Sequence, residues 1–558
     1  MTSIRPTQVL IAGAGPVGLT LAMDLASRGV NVIVVERRQA SDEPNVKCSQ
    51  ISARSMEVFR RLGVATELRK SGLPADYPND VVSCTTVTGI ELSRVSIPSR
   101  AERFHAPVGP DTGWPTPEPP HRINQLFFEP ILLEHAKAEP RIAILHGTEL
   151  TSFSQDATGI TAAAHDQASG AQVSIVCSYL VGCDGGKSMV RKAIGAAFVG
   201  NPNLQRVQST YIRAPQLLRL LPGKRAWLYF SLNPRRCGST IAIDGRETWL
   251  IHNYLYHGET ESDAVDRDWS VRTILGVGSD FHYDVISQED FVGRRLVADR
   301  FRDRRAFICG DAAHVWIPHA GYGMNAGIAD AANLAWMLAA NLSGWADSDI
   351  LDAYEAERRP ITEQASYFMA DIAQNIMKQR REIPADIEAA GSVGDAVRSR
   401  IGKAAYKLDV QQQCCAGLNF GYFYDRSPII AYDGEAHPSY TMHDFTSSTV
   451  PGCRAPHVWL GNHRSLYDEL GAGFALVRVN STVDVGGIVG AATQRRIPLL
   501  VLDVDTPEAR ALYEHNLTLV RPDQHVAWRG NREPAAPLDL IDLVRGACTR
   551  DSSAVLRP

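Results

Sequence analysis

Two segments of this 558-residue chain combine residue types and spacings suited to holding a nucleotide. The first is Gly13-Ala14-Gly15-Pro16-Val17-Gly18, followed by Glu36. Glycines so spaced allow a tight turn at Gly13, close approach of backbone to a pyrophosphate at Gly15, and close helix–strand packing at Gly18. Free N–H groups at the helix start attract phosphate, and Glu36 is placed to accept hydrogen bonds from a ribose. This fingerprint alone fits NAD and FAD equally. The second segment is Cys309-Gly310-Asp311-Ala312-Ala313-His314, then Pro318 and Gly321-Tyr322-Gly323-Met324-Asn325. A carboxylate at a strand end can bind a polyol hydroxyl, and the positive end of a following helix can stabilise an anion. A flavin has a ribityl chain and an N1–C2=O edge that becomes anionic on reduction, whereas NAD has neither. The bound dinucleotide is therefore read as FAD.

Regular elements must position these groups. Val9–Ala12 and Val32–Val35 are short apolar runs of the kind that form buried parallel strands. Between them Val17, Leu21 and Leu25 repeat on one helical face. Arg305–Cys309 reads as a further strand, and a helical run extends from about Ala326 to Asn341. Residues 200–297 are expected to form a sheet roofing the pocket. Alternation in Leu250–Tyr256 puts His252, Tyr254 and Tyr256 on one strand face. His252, Tyr254 and Pro318 are the catalytic candidates; Arg213, Tyr256 and Trp316 are the candidates for substrate contact. Ser49, Tyr211 and His257 are further pocket candidates, and His314 is a weaker one for chemistry. The Pro-rich stretch 96–120 has the length of a functional lid.

GAGPVG, Tyr179-Leu180-Val181-Gly182-Cys183-Asp184-Gly185 and CGDAAH, in that order, resemble the single-component aromatic-ring hydroxylases with the fold of p-hydroxybenzoate hydroxylase. The resemblance implies that Asp184 serves both FAD and a docking nicotinamide cofactor, and that Asp311 binds the FAD ribitol. It also implies cofactor roles for Arg37, for Lys47 and Arg54 in VKCSQISARSMEVFRRLG, for Gln125 in RINQLFFEP, and for Gly321, Gly323, Met324 and Asn325. The implied reaction takes hydride from NADH or NADPH, adds O2 to form an FAD C4a-hydroperoxide, and hydroxylates a phenolic ring. Baeyer–Villiger or epoxidation chemistry on a polyketide or quinone is the alternative. This sequence departs from the family at Tyr322 and at Ile317, both beside the expected flavin ring.

PGCRAPHVWL and LVRPDQHVAWR resemble the thioredoxin-like tail of the phenol-hydroxylase and polyketide-hydroxylase branch. Only Cys453 and Cys548 lie there, so no redox role is expected of it. The fold class is read as α/β and α+β, with a Rossmann-like FAD-binding domain interleaved with a mainly β-sheet substrate domain. The FAD domain is assigned to 1–80, 120–200 and 298–400, and the substrate domain to 81–119 and 201–297. A linker at 401–445, after a less regular stretch to Ala405, leads into a thioredoxin-like domain at 446–558.

Composition excludes other classes. With 57 Lys+Arg against 62 Asp+Glu, the net charge of −5 offers nothing to nucleic acid or an anionic membrane. Apolar runs are too short to span a bilayer, and the first one leads into the glycine motif rather than a cleavage site. The ten cysteines are scattered without metal spacing, as expected of a cytoplasmic protein with no metal site. A small-molecule aromatic substrate and a homo-oligomeric state complete the reading.

Overall fold

The computed structural model describes residues 3–256, 258–259 and 265–547, so His257 and Cys548 lie outside it. Ser3–Ala12 is the central strand of a sheet ordered Arg302–Asp303, Ala306–Ile308, Gln172–Gly182, Ser3–Ala12, Val32–Glu36, Ile142–His146. All of these pairings are parallel except that between Arg302–Asp303 and Ala306–Ile308. Val9, Leu10, Ile11 and Val34 are fully buried, as strands covered on both faces must be. The register sets Ala12 beside both Val35 and Gly182, and Gly182 beside Ile308. Gly13, Glu36, Asp184 and Asp311, which end or follow these four strands, therefore emerge along one edge. That edge is the carboxyl end of a parallel sheet, where open α/β folds bind ligands.

The second sheet has eight strands, ordered His314–Trp316, Asp284–Ala298, Phe198–Arg213, Thr248–Tyr254, Gly238–Ala242, Leu228–Ser231, Val81–Cys84, Glu91–Val95. Its pairings are antiparallel except between Leu228–Ser231 and Val81–Cys84. The chain crosses from the first sheet to the second through one short turn, Gly310–Ala312, between Ala306–Ile308 and His314–Trp316.

One expectation about the second half is corrected. A helix, Gly391–Gln413, runs through the stretch expected to be irregular and into the segment assigned as linker. Its inner side carries Val397, Ile401, Ala405 and Leu408 at helical spacing, interrupted by the buried Gly402, Asp409 and Gln412. Gly402 lets it touch the strand Glu91–Val95, because a Cβ there would come 2.1 Å from the Leu92 carbonyl oxygen. The segment LVRPDQHVAWR contributes to two strands, Leu517–Val520 and Val526–Gly530, around a turn containing Pro522, which has no N–H for a ladder.

The C-terminal unit is a four-stranded sheet ordered Leu499–Asp503, Phe474–Arg478, Leu517–Val520, Val526–Gly530. Its Phe474 meets Trp336 edge-on at 5.9 Å, joining it to the core of the FAD-side helix Tyr322–Leu342. Buried ion pairs fix the contact: Arg454 with Glu57 at 2.5 Å, and Arg521 with both oxygens of Glu357 on the helix Asp352–Arg381. The 96–120 stretch is braced internally by Arg103 with Asp111 at 2.7 Å, and it is tied to the rest of the fold through Glu118, held by Arg60 and Arg69, each at 2.9 Å. Among the described residues no helix is long and apolar enough to cross a membrane, and no group of three or more His, Cys, Asp or Glu is placed to hold a metal ion.

Removing one member of a buried pair strands the other's charge at a cost of about 3–5 kcal/mol. Arg521→Met is therefore expected to unfold at lower temperature and to expose the C-terminal unit to protease. Adding Glu357→Gln should recover most of the loss. Parent-like unfolding of the single variant would refute the clamp.

Candidate active site

The glycine loop distinguishes glycines required by the protein from glycines that leave room for a ligand. Gly13 has φ +106°, and a Cβ there would lie 2.3 Å from the Cys183 carbonyl oxygen; at Gly18 it would lie 2.0 Å from the Gly13 carbonyl oxygen. Those two are dictated by the turn and by helix–strand packing. At Gly15, which caps the helix Pro16–Ser27, a Cβ would meet nothing within 4 Å. The helix start has no side-chain cap, so its N–H groups face this open space. Glu36 accepts the Ala14 N–H at 2.7 Å and the Arg38 N–H at 2.9 Å, which fixes its carboxylate beside the loop. Asp184 caps the short helix Met189–Ala193 through Oδ2, at 2.7 Å from Met189 N, while its buried Oδ1 has no partner. An open phosphate cradle, a fixed ribose acceptor and a spare buried acceptor together fit a dinucleotide.

The flavin end fits equally. Asp311 reaches solvent yet is enclosed widely enough that burial raises its carboxyl above the usual range, against the pull of His314 and Lys47. That is the condition of a group on the floor of a cleft, and Asp311 has no hydrogen-bond partner among the described residues. The adjoining turn is held from behind by Asp330. Its Oδ2 accepts from Gly310 N at 3.2 Å and pairs with His314 Nε2 at 2.7 Å, and its Oδ1 accepts from Arg358 Nε at 2.9 Å. All three side chains are buried, and Arg358 and His314 help keep the Asp330 carboxyl below its usual value despite burial. His314 thus has a holding task, and Trp316 stacks on it at 4.7 Å.

Ala320 and Gly321 both take left-handed backbone, with φ of 58° and 59°, before the helix Tyr322–Leu342. No side chain caps that helix, so its first N–H groups point free, as an anionic flavin edge requires. Asn325 secures the turn: it donates to Gly321 O at 2.6 Å and accepts from Ser52 N at 2.8 Å. Gly323 borders open space, while Met324 packs against the core. Asn124, which carried no signal in the sequence, holds the facing loop through Val46 O at 2.9 Å and Ser49 Oγ at 2.8 Å. Gln125 donates to Glu129 at 2.6 Å, and its backbone N–H reaches Cys48 O.

Other expected cofactor residues are engaged elsewhere. Arg54 turns toward the C-terminal unit, bonding Glu57 at 2.5 Å and Gln524, because its helix is the docking surface for that unit. Lys47 pairs with Glu289 at 2.6 Å but still acts on Asp311. Arg37 is exposed at the strand end. Arg213 is corrected as a pocket residue: it is exposed and paired with Glu247 at 2.9 Å. In register it stands opposite Thr248, six residues, or roughly 20 Å, along the strand from Tyr254.

His252 and Tyr254 do share a face, with ring centroids 6.4 Å apart; Tyr256 lies past the strand end and accepts from Cys237 N at 3.2 Å. Two residues absent from the sequence reading join them. His319 is buried beside the exposed Pro318, its Nε2 unpartnered. Arg380 lays its guanidinium carbon 3.5 Å from the Tyr254 ring centroid. Burial, then Arg380, pushes His252 down to about 4 and His319 down to about 3, so both rings are neutral at pH 7. Asp409, near Arg380, is pushed up to about 7 by burial, against hydrogen bonds from Ser83 at 2.9 Å and Gln412 at 3.0 Å. A cavity of about 460 Å³ adjoins this group, lined by Gln205, Tyr254, Met377 and Arg380 among others.

The comparisons agree with this geometry. The family profile described as an FAD binding domain matches residues 6–368, and that described as aromatic-ring hydroxylase, C-terminal, matches 448–547. The FAD-dependent monooxygenase opdD of Penicillium oxalicum is 30% identical over 501 residues, 86% of this chain and 95% of its own. Tetracenomycin B2 monooxygenase-dioxygenase of Streptomyces olivaceus is 30% identical over 566 residues, 96% and 97% of the two chains. The solved structure of the rebeccamycin biosynthetic enzyme RebC with reduced flavin superposes with TM-score 0.88 at 34% identity, covering 98% of this chain and 100% of that one.

Gly15→Val is expected to fold with a parent-like melting temperature and yet purify colourless, since its side chain enters only the cradle. Gly18→Ala should instead lower the melting temperature, because its Cβ strikes the Gly13 carbonyl. The pair separates if FAD content and unfolding are measured together; yellow Gly15→Val protein would contradict the cradle. The Asp409 value of about 7 exceeds the 3.8 of a free carboxyl, so the folded chain holds this proton more tightly. Its contribution to stability is present in full below about pH 4, is lost as pH rises toward 7, and is flat above. Asp409→Asn should remove that part of the fall, measured as melting temperature against pH, and an unchanged slope would count against it.

Proposed function

The chain belongs to the FAD-dependent aromatic-ring hydroxylases, and from that premise we propose that it uses NAD(P)H and O2 to hydroxylate a phenolic, multi-ring aromatic small molecule. The observation that carries this reading is the crossing at Gly310–Trp316. It carries Asp311, suited to a ribityl chain, and leads into the left-handed Ala320–Gly321 turn, while Trp316, Ile317 and Ala320 pack in one apolar cluster with Leu204 and Met377, which line a cavity of about 460 Å³. That volume lies in the range of pockets for drug-sized ligands rather than for a single ring. The relative acting on tetracenomycin B2 and the neighbour from rebeccamycin biosynthesis support a multi-ring substrate.

Bound FAD supplies the redox chemistry, accepting hydride and delivering one atom of O2. The chain's own residues bind, orient and exclude water. The Gly13–Gly18 loop and helix start hold the pyrophosphate, Glu36 the ribose, Asp311 the ribityl chain, and the N–H groups after Gly321 the flavin edge. Asp184 offers its spare Oδ1 to the cofactor side, where the nicotinamide docks. Tyr254, Pro318 and Trp316 wall the substrate. His319, buried, neutral and with Nε2 unpartnered, accepts a hydrogen bond from the phenol once the substrate reaches it, and His252 stands beside it; this raises electron density on the ring to be hydroxylated. The cavity size also favours a second reading, in which the same flavin opens or epoxidises a quinone or polyketide ring.

A panel of phenols, naphthols and hydroxyquinones separates these readings. A substrate should accelerate flavin reduction by NADH or NADPH, and the product should gain one 18O from 18O2. A product that keeps its aromatic ring supports hydroxylation; an opened lactone or an epoxide supports the second reading. NAD(P)H consumption ending in H2O2 for every compound would sink both. Asp311→Ala should lose most of its FAD, and stoichiometric retention would overturn the ribityl role.

A further inference from the structure

We propose that Tyr322 is a positioning residue for the flavin: its phenol, tied to the Leu418 carbonyl, holds the turn that aims the helix N–H groups at the flavin edge. The inference rests on the cofactor placement given above. It also gives the C-terminal unit a task, because that unit helps to anchor the far end of the tie.

The turn needs holding. Among the described residues, Ala320 is the only buried one other than glycine with left-handed backbone. Gly321 follows in the same conformation, directly before the helix Tyr322–Leu342. Such backbone strains a residue that carries a β-carbon, and it persists only where the surroundings over-determine it. Asn325 secures one side through Gly321 O, Gln50 O and Ser52 N, at 2.6, 3.1 and 2.8 Å. Those bonds leave the first residue of the helix to be fixed from the other side.

Tyr322 does so. Its Oη donates to Leu418 O at 2.6 Å, and both residues are buried. Its ring packs with Ile317, Ala320 and Leu418 in one apolar cluster. Burial, then Tyr422, pushes the phenol above its usual value, so it remains a donor. The backbone N–H groups of Tyr322 and Gly323 are the first that the uncapped helix offers. Restraining this side chain therefore restrains the donors themselves. Donors fixed in advance stabilise an anion better than donors that must first be brought into line. Only the reduced flavin has an anionic N1–C2=O edge, so the tie favours reduced over oxidised FAD.

The far end of the tie is shared. Leu418 lies in the short helix Ala416–Phe420, where Gly417 N donates to His443 O at 3.0 Å and Leu418 N to Met442 O at 3.2 Å. The Phe420 ring meets Trp114 at 5.8 Å and Phe445 at 5.5 Å, and the Arg454 guanidinium lies 4.2 Å over it. Trp114 belongs to the Pro-rich stretch and Arg454 to the C-terminal unit. Both thus bear on the flavin turn through one carbonyl.

The test reads the midpoint potential of the flavin in FAD-loaded protein, against a reference dye during anaerobic reduction. Tyr322→Phe should keep its FAD, because the pyrophosphate and ribityl contacts lie elsewhere. It should bind reduced FAD about three- to tenfold less tightly relative to oxidised FAD, a fall of about 15–30 mV for a two-electron couple. Tyr77→Phe is the control: its Oη donates to Ala226 O at 3.2 Å in the buried core of the second sheet, and its potential should match the parent's. Phe420→Leu, which keeps the carbonyl and loses the ring contacts, should move the potential the same way by less. An unchanged potential in Tyr322→Phe, an equal fall in Tyr77→Phe, or loss of FAD from folded Tyr322→Phe would each overturn the proposal. Should Tyr322→Phe not fold, an unchanged potential in Phe420→Leu would do so. The potential is read without substrate, so either outcome leaves the hydroxylase reading untouched.

Discussion

The buried carboxylate of Asp330 is the constraint on which the rest of this architecture depends. The chain must pass from a parallel sheet to an antiparallel one within a few residues, and it must present Asp311 at that crossing. A turn so short cannot satisfy its own backbone groups. Asp330 accepts the Gly310 N–H, holds His314 at the start of the next strand, and is neutralised by Arg358 from a third element. A half-satisfied buried network would be worse than an apolar one. This one is nearly complete, with Nδ1 of His314 the atom left over.

Arg358 extends that constraint along the helix Asp352–Arg381. Glu357, one residue earlier, receives Arg521 and so seats the C-terminal unit. Arg380 lies 22 residues beyond Arg358, roughly 33 Å at the helical rise, and reaches the cavity wall. One rigid element thus fixes the flavin turn, the docking of the last domain and the charged end of the pocket. The C-terminal sheet covers the back of the helix Tyr322–Leu342, whose front end faces the flavin site, so its packing bears on the cofactor site without touching it.

What was legible in the sequence follows from where residue type is dictated locally. Gly13, Gly18 and Gly321 occupy backbone positions that a side chain would block or strain, and Asp311 ends a strand whose apolar run is unmistakable, so spacing alone exposed them. Arg380 sits in a helix rich in charges and looks like any solvated arginine; only the packing of Tyr254 and His319 buries it. Asp330 and Arg358 are hidden for the same reason. Arg54 misled because its family motif fixes a helix but not the direction of a long side chain, which here follows Glu57 and Gln524. The helix Gly391–Gln413 escaped because its apolar residues, Val397, Ile401 and Leu408, are interleaved with buried glycine, carboxyl and amide groups.

Unpartnered buried polar atoms occur in several parts of the fold, at Arg103 and Arg122 as well as at the cofactor side. Asp184 Oδ1, Gln205 Oε1, His319 Nε2 and both Nη atoms of Arg380 lie at the cofactor cleft and its adjoining cavity. Elsewhere arginines of comparable burial, such as Arg358 and Arg521, hold carboxylates in hydrogen-bonded contact. Arg122, equally buried, instead donates only to the Gln413 carbonyl and lies over the Trp227 ring, so the same side chain is used in two ways. Where the protein provides the anion, the arginine builds the fold. Where it withholds one, as at Arg122, a carbonyl and an aromatic face take its place, and the fold carries the cost of a buried charge.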